Sequence, residues 1–117
     1  MTQQLINLTS KPLTFVTADG MQTIAPSGHV CRCKVEQHVI RTHAGVPVYQ
    51  SVYGPVEGLP DPSEGVTYVV PTVVLHALEY NGIHRQDVAA PGTGANDNCL
   101  RENGRVVAAT RLVQLWD

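Results

Sequence analysis

Read for alternation of apolar and polar positions, the chain breaks into many short segments. Gln4 to Thr9 is a first candidate strand, and in Pro12 to Ala18 the side chains of Leu13 and Phe15 and the methyl of Thr17 alternate against the rest. Asp19-Gly20 suits the positive-φ positions of a tight hairpin, which returns through Met21 to Ala25. Pro26-Ser27-Gly28 turns the chain again. From Val30 onward Cys31, Cys33 and Val35 point one way and Arg32, Lys34 and Glu36 the other, predicting a half-buried strand with a charged outer face. His43-Ala44-Gly45 is a turn, and Val46 to Tyr53 is the next strand.

The run GPVEGLPDPSEG, Gly54 to Gly65, holds three prolines and three glycines in twelve residues, which excludes a helix or a central strand and predicts a long loop. Val66 to Val70 reads as a short strand, apolar but for Thr67. Pro71 to Asn81 is the one convincing helix: proline suits a first helical turn, Gly82 suits the position just past the end, and Val74, Ala77 and Leu78 make a buried stripe. Arg85 to Ala90 reads as a strand, Pro91 to Asn98 as a loop, and the remainder as a hairpin over Asn103-Gly104 in type I′ geometry, from Leu100-Arg101-Glu102 to Arg105–Val113. About eight short strands and one helix predict an α+β fold over 1–117: a mostly antiparallel sheet, or a partly open barrel with the helix against one side.

Composition narrows the class. A chain of 117 residues fits one domain with one core, and 43% hydrophobic against 15% charged residues argues for a folded chain. A formal net charge of −2, with lysine only at 11 and 34, speaks against duplex nucleic acid as a partner, because binding a phosphate backbone needs clustered Lys and Arg. No stretch approaches the ~18 apolar residues of a membrane span. MTQQLINLTS lacks the basic and apolar regions of a signal peptide, so Asn7-Leu8-Thr9 carries no weight as a glycosylation acceptor. Three cysteines, an odd number, suggest free thiols in a reducing cytoplasm rather than a disulfide framework.

Four constellations could carry chemistry. The loop PGTGAN could present backbone amides at Gly92, Thr93 and Gly94 to an anion, although it lacks the third glycine of a dinucleotide fingerprint and the Gly-Lys-Ser/Thr of a P-loop; a plain turn is the alternative. The strand-to-helix step YVVPTVV offers free amides and the Thr72 hydroxyl, against the alternative of an ordinary helix start. His29, Cys31 and Cys33 share a strand face and with His38 or His43 could ligate zinc, but the Cys-x-Cys spacing fits core cysteines better, and neither metal nor cofactor is expected. Glu57 and Asp87 are the carboxylates placed to act as a general base, with an Arg85–Asp87 ion pair as the alternative for the second. No Ser-His-Asp or Cys-His order stands out.

The blocks NLTSKPLTF, APSGHV, AGVPV, GPVEGLPDPSEGVTYVV, RQDVAAPGTG and RENGRVVAATRLV, in that order, resemble a family of small proteins encoded by bacteriophages, prophages and bacteria. Members of that family usually carry Pro-Asp-Thr-Gly-Pro where this chain has Pro91-Gly92-Thr93-Gly94-Ala95, and tend to have Ser in place of Pro71. By analogy with small phage proteins, the resemblance implies an anti-defence factor acting in the host cytoplasm. The expectation is a protein that binds and sequesters a small nucleotide-like signalling molecule. Arg85 or Arg111 would neutralise phosphate, the 92–94 amides would hydrogen-bond it, and Tyr53 or Tyr68 would stack a base. The alternatives are direct inhibition of a host defence protein, with the 54–65 loop as contact, hydrolysis of the same ligands by Glu57 or Asp87, and a minor virion component. A chain of 12.6 kDa has little room for a deep pocket, which favours a homo-oligomer.

Overall fold

Ten strands and one helix form within residues 3–94 and 96–116, the part of the chain that the computed structural model describes. Four strands make the central sheet: β1 (Gln4–Asn7), β6 (Val66–Val69), β7 (Val88–Pro91) and β10 (Leu112–Val113), in the order β1-β6-β7-β10. The first three run parallel and β10 closes the far edge antiparallel. A parallel pair needs a crossover, and α1 (Thr72–Tyr80) supplies it between β6 and β7. The mostly apolar sequences of β6, with Thr67 as its exception, and β7 follow from this arrangement, because a strand covered on both faces has little need of a polar side.

On one face α1 lays Val74, Leu75 and Leu78 against Tyr68, Val70, Val88 and Ala90, with Leu8 and Cys31. On the other face Val69 packs with Phe15 and Ala109, bordered by Leu13, Ile24 and Leu112. Phe15 belongs to the hairpin of β2 (Leu13–Thr17) and β3 (Gly20–Ile24). A second hairpin joins β8 (Leu100–Glu102) to β9 (Arg105–Ala108) across Asn103 and Gly104, both at positive φ (52° and 79°) as a type I′ turn requires. The 54–65 loop is ordered by packing Val56 and Leu59 on the main core. Gly58 permits its close approach: a Cβ there would lie 2.6 Å from the Val30 carbonyl oxygen, at a φ of +83°.

The longest strands, β4 (Val35–His43) and β5 (Val46–Tyr53), pair only with each other and project from this body. Every residue of β4 is exposed. The radius of gyration is 16.2 Å, with extents of 54 × 37 × 26 Å, against ~13 Å for a compact domain of this length.

The α+β class, the single helix and the small antiparallel hairpins agree with the sequence reading. The central sheet is open, so the barrel is not formed, and its core is parallel rather than antiparallel. The strand expected from Val30 begins only at Val35; before it, Cys31 is drawn into the core and Arg32 makes an isolated bridge to Glu57. Pro71 caps the helix rather than opening its first turn. Arg85 and Asp87 precede β7 instead of lying within it, and Leu112–Val113 leave the last hairpin for the central sheet. Ala95, in the predicted 91–98 loop, lies outside the described residues.

Candidate functional site

In an open parallel sheet, ligands sit beyond the carboxyl ends of the strands. At that end the chain leaves β1 through Thr9, Ser10 and Lys11, leaves β6 through Pro71 into α1, and leaves β7 through Pro91 into Thr93. These segments, with Leu13 and the Val30–Cys33 strip, enclose a crevice of about 380 Å³. A smaller recess of about 250 Å³ adjoins it, sharing Thr72, Pro91 and Thr93 and reaching Leu75, Gly94, Asp97 and Val113. The two threonines singled out from the sequence therefore line the same crevice, although 21 positions separate them.

The crevice walls are aliphatic and thiol: Leu13, Val30, Cys31, Cys33, Pro71 and Pro91. Its polar groups favour an anion. Lys11 and Arg32 stand at the rim and no carboxylate belongs to the lining. α1 begins there with no side-chain cap and no acidic residue in its first turn, so the positive end of its dipole is uncompensated. Arg32 is only loosely held, 3.9 Å from Glu57 with both side chains largely in solvent. Burial raises the Cys33 thiol above its usual range and pushes Cys31 up to about 11, so both remain protonated at neutral pH.

One residue organises the loop after β1. Asn7, the only buried polar side chain among the described residues, is 1% exposed at the end of its strand. Its Nδ2 donates to the carbonyls of Lys11 (2.9 Å) and Ile24 (3.0 Å). Its Oδ1 accepts from the Thr9 amide (2.9 Å) and hydroxyl (2.6 Å). The wall that carries Lys11 is thereby fastened to β3.

The PGTG loop is not an open cradle. The Gly92 amide donates to the Arg111 carbonyl at 3.0 Å, and the Gly94 amide to an Asp97 carboxylate oxygen at 2.8 Å. Arg101 donates to the Thr93 carbonyl (2.8 Å), and the Thr110 hydroxyl donates to the carbonyls of Asp97 and Asn98. Both glycine amides offered to a phosphate are thus engaged by the chain itself, and the loop brings Thr93 to the crevice. Arg111 stays behind it: its Cγ lies where a Gly92 side chain would project.

The other sequence candidates lie elsewhere. Arg85 grips Asp87 through two bonds, Nε to Oδ1 at 2.7 Å and Nη2 to Oδ2 at 2.8 Å, and reaches the Pro60 carbonyl at 2.9 Å. The Tyr68 hydroxyl donates to the Asp61 carbonyl. Together they clamp the 54–65 loop ahead of β7, and none of Arg85, Asp87 and Tyr68 belongs to the crevice lining. The hydrogen bonds from Arg85 hold the Asp87 carboxyl below its ordinary range. Glu57 is exposed, outside the crevice. Tyr53 sits at the root of the β4–β5 hairpin, its ring 5.5 Å from Tyr80 and 6.4 Å from His76. His29, Cys31 and Cys33 do not converge, and no metal-ligating group of three or more forms among the described residues.

The sequence reading missed Asn7, Lys11, Arg32 and Asp97. Asn7 had a visible signal, a polar residue inside the apolar run Leu5-Ile6-Asn7-Leu8. Lys11 and Arg32 had none, because only the parallel pairing of β1 with β6 brings them to the mouth of α1. Among the described residues no helix is long and apolar enough to cross a membrane. Compared with known proteins, the chain matches no family model, no curated protein and no solved structure.

Proposed function

We propose that this chain is a binding protein that takes up a small phosphorylated, nucleotide-like molecule in the crevice at the carboxyl ends of β1, β6 and β7. The observation that carries the reading is the conjunction at one mouth of an uncapped helix start, Lys11, Arg32 and the hydroxyls of Thr72 and Thr93, with no carboxylate in the crevice lining itself, Glu57 standing against Arg32 outside it and Asp97 in the adjoining recess. At about 380 Å³ the crevice is near the lower end of the ~300–1,000 Å³ usual for ligand pockets, which suits one phosphorylated moiety with a compact apolar body. No aromatic residue lines it, so aliphatic contact rather than ring stacking would hold that body.

Sequestration is favoured over turnover by the character of the groups present. The half-exposed thiol in the lining, Cys33, is kept protonated by burial, and no histidine or carboxylate lines the crevice to activate it or the neighbouring hydroxyls. Glu57 and Asp87 lie outside it. An anti-defence role, in which the captured ligand is a host immune signal, rests on the phage-family resemblance.

Calorimetric titration with inorganic phosphate, AMP, ADP-ribose and cyclic dinucleotides tests the proposal. At least one phosphorylated compound binds and is recovered chemically unchanged. Lys11→Glu weakens it tenfold or more, while Arg105→Glu, next to the turn of the β8–β9 hairpin and outside the crevice lining, leaves it unaltered. Silence across the panel refutes the reading, and a chemically altered ligand replaces it with an enzymatic one.

A further inference from the structure

The projecting β4–β5 hairpin is built as an amphipathic arm. Paired residues share a face and faces alternate along a strand. Val35 with Tyr53, Gln37 with Ser51, Val39 with Tyr49, and Thr42 with Pro47 fall on one face. The extra residue, Ile40, lies between the Val39–Tyr49 and Arg41–Val48 pairs and shifts the later alternation. Glu36, His38, Arg41 and His43 consequently all fall on the other face. The first face thus carries no acidic, basic or histidine side chain over the whole arm. Its Gln37 and Ser51 satisfy each other at 2.8 Å, so covering them leaves no lost donor.

At its root this face meets the outer stripe of α1, where Tyr53 touches His76 and Tyr80 and Val73 continues the row. The apolar surface left open is large. Tyr49 is 57% and Tyr80 52% exposed, Val39 and Ile40 are 54% each, and Val35 and Val73 are 36% and 37%. With whole aromatic side chains at ~150–250 Å², Tyr49, Tyr80, Val39, Val35 and Val73 leave on the order of 400–500 Å² open, and Ile40 at the bulge borders them. With the neutral polar residues of the same face the patch approaches the ~800 Å² per partner of a standard interface.

We infer that this face of the arm packs against the same face of a second copy of the chain about a two-fold axis, each arm lying toward the partner's α1 stripe. Charge decides for self-association. A two-fold contact sets each patch against itself, so any cluster of one sign would repel its copy. Here every charge on the arm has been segregated to the opposite face. Stability points the same way, because a two-stranded hairpin with no covering layer is marginal in water. Yet this arm contains the two longest strands of the molecule.

Sedimentation equilibrium on the intact chain, from micromolar to several hundred micromolar, tests the proposal. The expected mass is twice 12.6 kDa, falling to 12.6 kDa on dilution. Tyr49→Lys, on the uncharged face, yields monomer at every concentration with an unchanged circular dichroism spectrum. Val46→Lys, at a position 61% exposed on the charged face, leaves the dimer intact. Hydrogen exchange on the unmutated chain gives a readout independent of any variant: arm amides slow as concentration rises while those of β8–β9 do not. A monomer throughout, equal loss of association in both variants, or a monomer whose arm is covered only by a different protein overturns the inference.

Discussion

Replacing Asn7 by Asp keeps the side chain's shape and changes only its hydrogen-bonding character, which makes it the sharpest probe of how the crevice wall is held. Oδ1 still accepts from the Thr9 amide and hydroxyl. The lost Nδ2 group donated to two carbonyls, those of Lys11 and Ile24. In the Asn7→Asp variant an anionic oxygen faces them at a site that is 1% exposed. Two lost bonds at about 1 kcal/mol each, plus the penalty of a buried charge facing acceptors, bring the cost to about 3–5 kcal/mol at pH 7. Protonation restores one donor, so the cost falls to about 1–2 kcal/mol in acid. That difference of about 2–3 kcal/mol corresponds to a carboxyl raised by about two units in the folded variant, from ~3.9 to near 6. The sign follows from linkage. Between these values the folded state holds a proton that the unfolded state has released, so the variant loses stability relative to the parent as pH rises from 4 to 6, by up to ~1.4 kcal/mol per unit. Above pH 6 the deficit is level. Urea denaturation of both chains at pH 4, 5, 6 and 7, followed by far-ultraviolet circular dichroism, measures it. A deficit below about 1 kcal/mol at pH 7, or one that does not change with pH, would refute the bonding assigned to Asn7.

Two further substitutions probe the sites outside the crevice. Asp87→Asn leaves the Arg85 guanidinium without its anion at a pair whose side chains are only 17% and 18% exposed, and costs about 1–3 kcal/mol at neutral pH. Because Arg85 lowers the folded Asp87 pKa, the stability from the pair is present above the unfolded value and is lost as pH falls through the folded one. Thermal melts of variant and parent should therefore converge in strong acid, and parallel curves down to pH 2 would contradict the assignment. Gly92→Asp, which supplies the acid of the resembled family, places a Cβ 2.8 Å from Arg111 Cγ and 3.1 Å from Asp97 Cβ and sets a second carboxylate beside the first. It should destabilise by about 1–3 kcal/mol, and Asp97→Asn in the same chain should recover part of that in denaturant titrations; a neutral Gly92→Asp would show that the loop has room to spare.

What was legible from sequence divides by range. Gly82, at a φ of 69° beyond α1, Asn103-Gly104 in its turn, and the bounds of β5 are each dictated by a few adjacent residues. The Arg85–Asp87 pair was readable for the same reason, being two residues apart. The parallel sheet was not, because β1 pairs with β6 some sixty positions later and nothing local in Gln4–Asn7 specifies that partner. Local alternation even misled at Val30–Cys33, where burial of Cys31 under α1 imitates a strand face. The candidate site inherits this division: Thr72 and Thr93 came from local motifs, whereas Lys11 and Arg32 are recruited by topology alone.

The crevice and the arm are joined by the residues between them. Val73 both lines the crevice and stands on the outer stripe of α1, and Cys33, in the crevice wall with its Sγ 3.8 Å from the Val73 carbonyl oxygen, lies two positions before the first residue of β4. A partner seated along the stripe would border the mouth of the crevice. An apolar patch of this size is costly for a small chain to leave in water, and a two-fold contact over it would both cover the arm and wall the ligand. Linkage then fixes the relation between the two proposals: a ligand held more tightly by the pair of chains must, by the same free energy, hold the pair together.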